Sequence, residues 1–397
     1  MKRASGTFVF VKGTSLLKAA AALILFMLLI FSISGLLTSL KPQYRLTSAS
    51  VNQAATNVNG ELLYQLMGWE NHHFLSVKPN TSEPKLTNIV FKLASNINLD
   101  DPRSLLGREL PGFFQFDGQI LVAGEGTNYT NMPMESAPPL EIMKAEREAA
   151  LQNLEDLEKT EERTPITPGQ TTGGRKVVYL YFSHNRESYL PYLKGINNPD
   201  FAYHSKINVT NIGDRLKSRF EEQGIGTYVD KTDIQGNLNK KGLNYTQSYL
   251  ESRSVVQAAM AENRDLRYII DIHRDASRKQ ATTVTINGKS FARLAFIIGG
   301  KNPNYEKNYK LAEELHNLLQ KKYKGLSRGV ILKKGAGSNG VYNQNISENA
   351  ILIEFGGVDN TFEELNRSAD ALADVFSEYY WQAEKVNKDM EQSKNKQ

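Results

Sequence analysis

Hydrophobic and polar positions change register three times along this chain. Ala19 to Leu40 is an uninterrupted run of 22 residues without a charge. At ~1.5 Å per residue it is long enough to cross a bilayer as one helix. Lys2, Arg3, Lys12 and Lys18 precede it, so the positive-inside rule leaves residues 1–18 in the cytoplasm and the remainder outside. A cleaved signal peptide is the rival reading, with Ser34-Gly35 and Thr38-Ser39 as small residues for a peptidase. The apolar run, however, exceeds a signal core of ~7–15 residues. Residues 41–136 are mixed. Two globular-looking stretches, Leu62 to Val77 and Gly107 to Val122, suggest a small extracytoplasmic accessory domain. Residues 137–174 read as a linker: a charged helical segment with Leu151, Leu154 and Leu157 at helical spacing, then the Pro/Gly/Thr-rich "TPITPGQTTGG".

From residue 175 to 397 short apolar runs alternate with amphipathic ones. The pattern predicts strands at Val177–Ser183, Gly226–Asp230, Tyr268–His273, "SFARLAFIIG" and Ala350–Phe355. It predicts helices at Val209–Gln223, closed by Gly224, and at Ser248–Asn263, Tyr305–Tyr323 and Thr361–Trp381. Such alternation argues for an α/β domain, a mostly parallel sheet with helices on both faces.

Composition changes the picture mainly by exclusion. With 40% hydrophobic and 23% charged residues in 397, neither wholesale disorder nor a multi-span membrane protein is indicated. A net charge of +5 suits an acidic polymer or lipid surface, but with no aromatic-rich basic motif it gives no case for nucleic acid. The chain has no cysteine, so disulfides, thiolate ligands and thiol nucleophiles are out, and any zinc must be held by histidine and carboxylate. Six histidines make that search short.

In sheets of this kind functional residues gather where strands end. Three apolar runs end in chemistry: "SHNRESYLP" with His184 and Glu187, "DIHRDA" with Asp271, His273, Arg274 and Asp275, and "IEFGG" with Glu354. His184 and Glu187, three residues apart, can share a metal. His273 at the mouth of the same sheet would make a third ligand and leave a fourth position for water. Glu354, beside two glycines, is placed to move a proton. Arg274 and Arg186 are candidates for stabilising an oxyanion, and Asp271 or Asp275 for orienting a ligand histidine. The bland readings are a core histidine at 273 and a helix-capping Glu354. His72 and His73 read as packing or surface residues, His204 as a surface residue near the entrance, and His316 as structural. No G-x-S-x-G elbow, Walker loop or dinucleotide fingerprint occurs in convincing context. The strand ends are expected to face an open crevice suited to a polymer.

The segments "VVYLYFSHNRESYLP", "YIIDIHRDA", "ILIEFGGVDNTFEE" and "GRELPGFF" resemble the stage II sporulation protein P family, in order and spacing, across nearly the whole chain. The resemblance implies a zinc-dependent N-acetylmuramoyl-L-alanine amidase fold at 175–397. It also implies cleavage of peptidoglycan between the lactyl group and L-alanine, with possible endopeptidase action on stem peptides. By it, zinc is held by His184, Glu187 and His273, with Glu354 as the late glutamate. In the broader amidase class the ligand glutamate lies on the helix after the first strand. Here that helix, "INVTNIGDRL", starts without a carboxylate, which leaves Glu187. Action alongside sporulation proteins D and M during engulfment, in the space between septal membranes, is implied as well. A zinc carboxypeptidase on wall peptides and a non-catalytic wall-binding scaffold stay open as alternatives.

Overall fold

The computed structural model describes residues 118–144, 168–335 and 338–394, together with Ile24, Phe26 and Met27, which are helical. The chain divides into two units, Met1–Ile89 and Val90–Gln397, and the architecture below belongs to the second. Among the described residues no helix is long and apolar enough to cross a membrane. The run Ala19–Leu40 otherwise lies outside them, as do the accessory stretch up to residue 117, with His72 and His73, and the charged segment 145–167.

Seven strands form one sheet. In chain order they are β1 (Gly118–Ala123), β2 (Val178–Tyr181), β3 (Thr227–Val229), β4 (Tyr268–Asp275), β7 (Leu294–Gly299), β8 (Ser327–Lys333) and β9 (Ala350–Gly357). The hairpin β5 (Thr283–Ile286) and β6 (Lys289–Ala292) stands apart. Across the sheet the order is β1-β8-β7-β9-β4-β2-β3. Four of the six pairings are parallel, while β7–β9 and β1–β8 are antiparallel, so the sheet is mixed but mostly parallel. β4 and β9 are buried along their whole lengths, which is why their sequences read as continuous apolar runs rather than alternations.

Helices cover both faces. The helices α1 (Thr210–Glu222), α4 (Tyr305–Lys322) and α5 (Phe362–Lys394) pack on one face, and α2 (Ile234–Lys241) and α3 (Ser248–Glu262) lie on the other. The strand period of two sorts the side chains. Ile270, Ile272, Ile351, Ile353 and Phe355 join the core under α1, α4 and α5. Ile269 and Leu352 face the opposite way. His273 shares the parity of Ile269 and Glu354 that of Leu352, and the two are register partners on adjacent strands. Both therefore emerge on the α3 face. Just beyond them the β4–β9 register shifts, and Gly356 adopts φ +60°. A Cβ there would lie 2.5 Å from Asn360 Oδ1. That local bulge ends the pairing next to the polar cluster.

Three sequence expectations need correction. "SFARLAFIIG" is two strands, broken at Arg293. The Arg293 N–H donates to the Thr282 carbonyl, and its guanidinium is drawn inward to the Gly325 carbonyl. Residues 118–136, expected in the accessory domain, belong to this domain, because β1 forms the sheet's outer strand against β8. The short helix Leu140–Lys144, expected in the linker, belongs here too, since Asn239 on α2 donates to the Met143 carbonyl at 2.6 Å.

Candidate metal centre

Each proposed ligand is delivered by a different local device. β2 ends at Tyr181, and the chain turns so that the Glu187 N–H donates to the His184 carbonyl at 3.1 Å. That turn places His184 Nδ1 3.3 Å from Glu187 Oε1. His273, near the end of β4, brings its Nδ1 to 3.7 Å from Glu187 Oε2. Ligand atoms of His184, Glu187 and His273 all lie within 4.8 Å of one another. No member of this triad is more than 3% exposed, and Glu354 is 2% exposed.

His184 Nδ1, Glu187 Oε1 and His273 Nδ1 are buried without a hydrogen-bond partner. Three converging buried groups whose lone pairs or protons go unmet are costly as they stand, at ~1–3 kcal/mol each. A cation among them would satisfy all three, and two imidazoles with one carboxylate suit zinc. The residues fit the ion.

The surroundings hold these side chains in place. Asp271 Oδ1 sits 3.0 Å from His273 Nε2. The contact is short but falls outside hydrogen-bond alignment, since the same nitrogen has no bonded partner. It places a carboxylate behind the imidazole on the side away from Nδ1, the arrangement that suits a candidate ligand histidine. Asp271 is itself fixed by the Ser183 N–H at 2.9 Å and the Ser183 hydroxyl at 2.6 Å. The backbone N–H of Arg274 donates to Glu187 Oε2 at 2.9 Å. Tyr245 stacks on the His184 ring at 4.4 Å, and Tyr249 meets its edge at 5.1 Å.

Electrostatics separate the two glutamates. Burial would raise the Glu187 pKa, but the close approach of His184 and the positive charges of His273 and Arg274 outweigh it and hold Glu187 below the usual carboxylate range. Glu354 is pushed up to about 8, first by burial and then by the charges of Glu187 and Asp275, with His273 and Lys333 opposing. For His273, burial works against protonation. Contact with Asp271, helped by Glu187 and Glu354, more than offsets it and raises the pKa to about 10. One carboxyl poised for ligation and another poised to hold a proton is the division that acid–base chemistry needs.

The other sequence candidates lie elsewhere. The Arg274 guanidinium is buried and directed at Ser136 Oγ (3.1 Å) and the carbonyls of Ala202 and Asp275. Asp275 pairs with buried Arg328 and accepts from the N–H groups of Met134 and Ser277, so it braces the site without touching the histidines. Arg186 is tied to Asp233 at the start of α2. His204 Nδ1 accepts from the N–H groups of Lys206 and Ile207, closing a turn. His316 bonds Ser327 at 2.7 Å under α4.

Among the described residues the expected open crevice is not observed at the triad. Tyr203, Tyr245 and Tyr249 wall the triad, and the segment after β1 runs across the strand ends. The Met134 N–H donates to the Asp275 carboxylate and its carbonyl accepts from the Ala276 N–H, while Ser136 bonds Arg274 and Tyr203. Sequence reasoning missed these residues. The one usable signal was Tyr245 and Tyr249, two aromatics four apart in the polar "NYTQSYLES", a spacing that puts both on one helical face.

Comparison with known proteins agrees with the motifs. Residues 100–377 match the family model described as stage II sporulation protein P. The chain is 55% identical over 384 residues to stage II sporulation protein P of Bacillus subtilis (strain 168), covering 96% of this chain and 95% of that one. Among solved structures, Cwp6 from Clostridium difficile aligns at a TM-score of 0.32 with 14% identity, over 51% of this chain and 29% of that one, too remote to inform the site. On the length and identity of the sequence matches, the chain belongs to the stage II sporulation protein P family and is a sporulation protein.

Proposed function

We propose that this protein is a zinc-dependent peptidoglycan hydrolase, an N-acetylmuramoyl-L-alanine amidase with possible action on stem-peptide cross-links. One observation carries the reading: three unsatisfied buried ligand atoms converge beside a protonatable glutamate on the adjoining strand. Zinc bound there would supply a Lewis acid for the amide carbonyl and lower the pKa of a coordinated water toward ~7.

The chain's own groups account for the rest. His184 and His273 would supply imidazole nitrogens to the ion, and Glu187 adds the carboxylate that makes the site selective for a cation. Asp271 fixes one imidazole and Tyr245 the other. Glu354 Oε2, buried and unpartnered, receives a proton from the attacking water and returns it to the leaving amine. A pKa near 8 keeps that oxygen protonated at neutral pH, and a divalent cation close by would lower it into the range of a working base. Arg274 acts as a buried cation beside Glu187, and its backbone N–H positions the carboxylate. Anchoring by residues 19–40, with the domain outside the membrane, would confine cutting to nearby wall. Work alongside sporulation proteins D and M during engulfment fits the family.

The test is mass spectrometry of fragments released from purified peptidoglycan, with zinc or with chelator, beside Glu354→Gln. Zinc-dependent release of stem peptides bearing a free L-alanine amine, absent in the variant, is expected. Equal release by the variant would remove Glu354 from the chemistry. No release under any condition would favour a scaffold.

A further inference from the structure

The segment that crosses the site carries one side chain that its own anchoring does not need. Met134 holds the segment through its N–H to the Asp275 carboxylate and its carbonyl to the Ala276 N–H, and Ser136 through Arg274 and Tyr203. Glu135, between them, instead turns its carboxylate toward a cluster of aromatic hydroxyls. The Tyr249 hydroxyl donates to Glu135 Oε1 over a long 3.4 Å. The Tyr342 hydroxyl lies close to the Glu135 carboxylate and the Ser338 side chain, with Glu354 as a further charged neighbour, yet makes no well-aligned hydrogen bond to any of them. A tyrosine 1% exposed with its donor unmet is uncommon, because the lost bond is not compensated.

The backbone is arranged to keep that hydroxyl in place. Tyr342 and Asn343 have φ of 53° and 57°, a left-handed conformation that bulky side chains avoid. Asn339 Oδ1 stabilises it by accepting from the N–H groups of Val341 (3.1 Å) and Tyr342 (2.7 Å). The Asn343 side chain donates to Ser252, which bonds Ser183, which in turn bonds Asp271 behind His273. The Tyr342 and Tyr249 rings meet edge to face at 5.2 Å, and Tyr249 lies parallel to His273 at 6.0 Å. Strain retained next to a reactive centre points to a binding duty.

We infer that Tyr249 and Tyr342 form a carboxylate-binding subsite beside the candidate metal centre, in which the chain's own Glu135 bonds Tyr249 and leaves the Tyr342 donor open. Its ligand in turnover is a free carboxylate of a wall peptide, a statement that rests on the amidase reading. Burial drives both phenols well above their ordinary pKa, so both remain donors at any physiological pH. A tethered carboxylate competes with substrate at a high local concentration and lowers the apparent affinity by the fraction of time it holds the subsite.

The experiment uses the zinc-loaded full chain in mild detergent, titrated calorimetrically with N-acetyl-L-alanyl-D-glutamate and with its diamide. Glu135→Ala should bind the acid at least about fivefold more tightly than the native chain does, with no gain for the diamide. Adding Tyr342→Phe should abolish that gain while leaving zinc content and melting temperature unchanged. A Tyr342 that only packs predicts that the gain survives the substitution, because Phe keeps the ring and removes only the unpartnered hydroxyl. Equal binding of acid and diamide by Glu135→Ala, or a preference that survives Tyr342→Phe, overturns the subsite. Parallel digestion of sacculi keeps the two proposals separate. Acid preference without cutting would leave the subsite standing and remove the amidase, and cutting without acid preference would do the reverse.

Discussion

Glu354→Gln should make the metal-free protein more stable at alkaline pH while removing the proposed hydrolase activity. In the unfolded chain the carboxyl ionises near its ordinary 4.5, and in the fold it keeps its proton to about 8, chiefly because it is buried. Between those values the native state binds the extra proton, so stability falls as pH rises and the contribution is gone above about 8. At about 1.4 kcal/mol per pH unit the full span corresponds to an upper figure of about 5 kcal/mol. Relaxation around an ionising buried acid reduces this, and about 2 kcal/mol is the expected size. Glutamine has the same shape and cannot ionise. In chelator-treated protein unfolded by urea, the two forms should be nearly equal at pH 5. The variant should lead by about 2 kcal/mol at pH 8. His273, raised to about 10, adds its own loss of stability as pH climbs from 6.5; Asp271 is the main source of that rise and Glu354 a smaller one, so most of the His273 contribution is common to both proteins. Saturating zinc should shrink the gap, because a nearby cation favours the ionised carboxylate. Equal stability at both pH values, or a variant that falls behind at pH 8, would refute the reasoning.

Three further outcomes are expected. Asp271→Asn should weaken zinc binding about 10- to 100-fold in competition with a chromophoric chelator, whereas His204→Ala, which only opens a turn, should leave it within about twofold. Asp275→Ala strands Arg328, 1% exposed, without its counter-charge, and should cost about 3–5 kcal/mol in urea unfolding. A loss under about 1 kcal/mol would mean that water reaches that pair. Starting the chain at residue 170 removes β1 and bares the edge of β8. It also takes carbonyl partners from Arg328, Lys333 and Arg293. Light scattering should then show association, and a monomeric, undiminished melt would contradict the role of β1.

The triad and its neighbouring glutamate were legible because they ride on local signals. "YIIDIH" and "ILIEF" are long enough apolar runs to be strands wherever they fold, and a His or Glu at the end of such a run has few places to go except a strand mouth. Period-two alternation then puts His273 and Glu354 on one face once β4 and β9 are neighbours. β8 was not foreseen, although "SRGVILK" is apolar enough, because nothing nearby marked it as a strand of this sheet. The break at Arg293 was invisible too, since it depends on the Gly325 carbonyl, 32 residues later.

By itself, then, the sequence determined the alternating α/β class, the main helices and the identities of the residues with ligand chemistry, all from periodicities within a few residues. Tertiary structure alone decided that Gly118–Ala123 adds the sheet's outer strand and that residues up to 144 belong to this domain. It also decided that Glu135 meets Tyr249 across 114 positions, and that the centre is walled by tyrosines rather than open. Those features arise from pairings whose partners are distant along the chain. Strand-edge hydrogen bonds and buried charges constrain which partner is chosen only after the chain has folded back on itself.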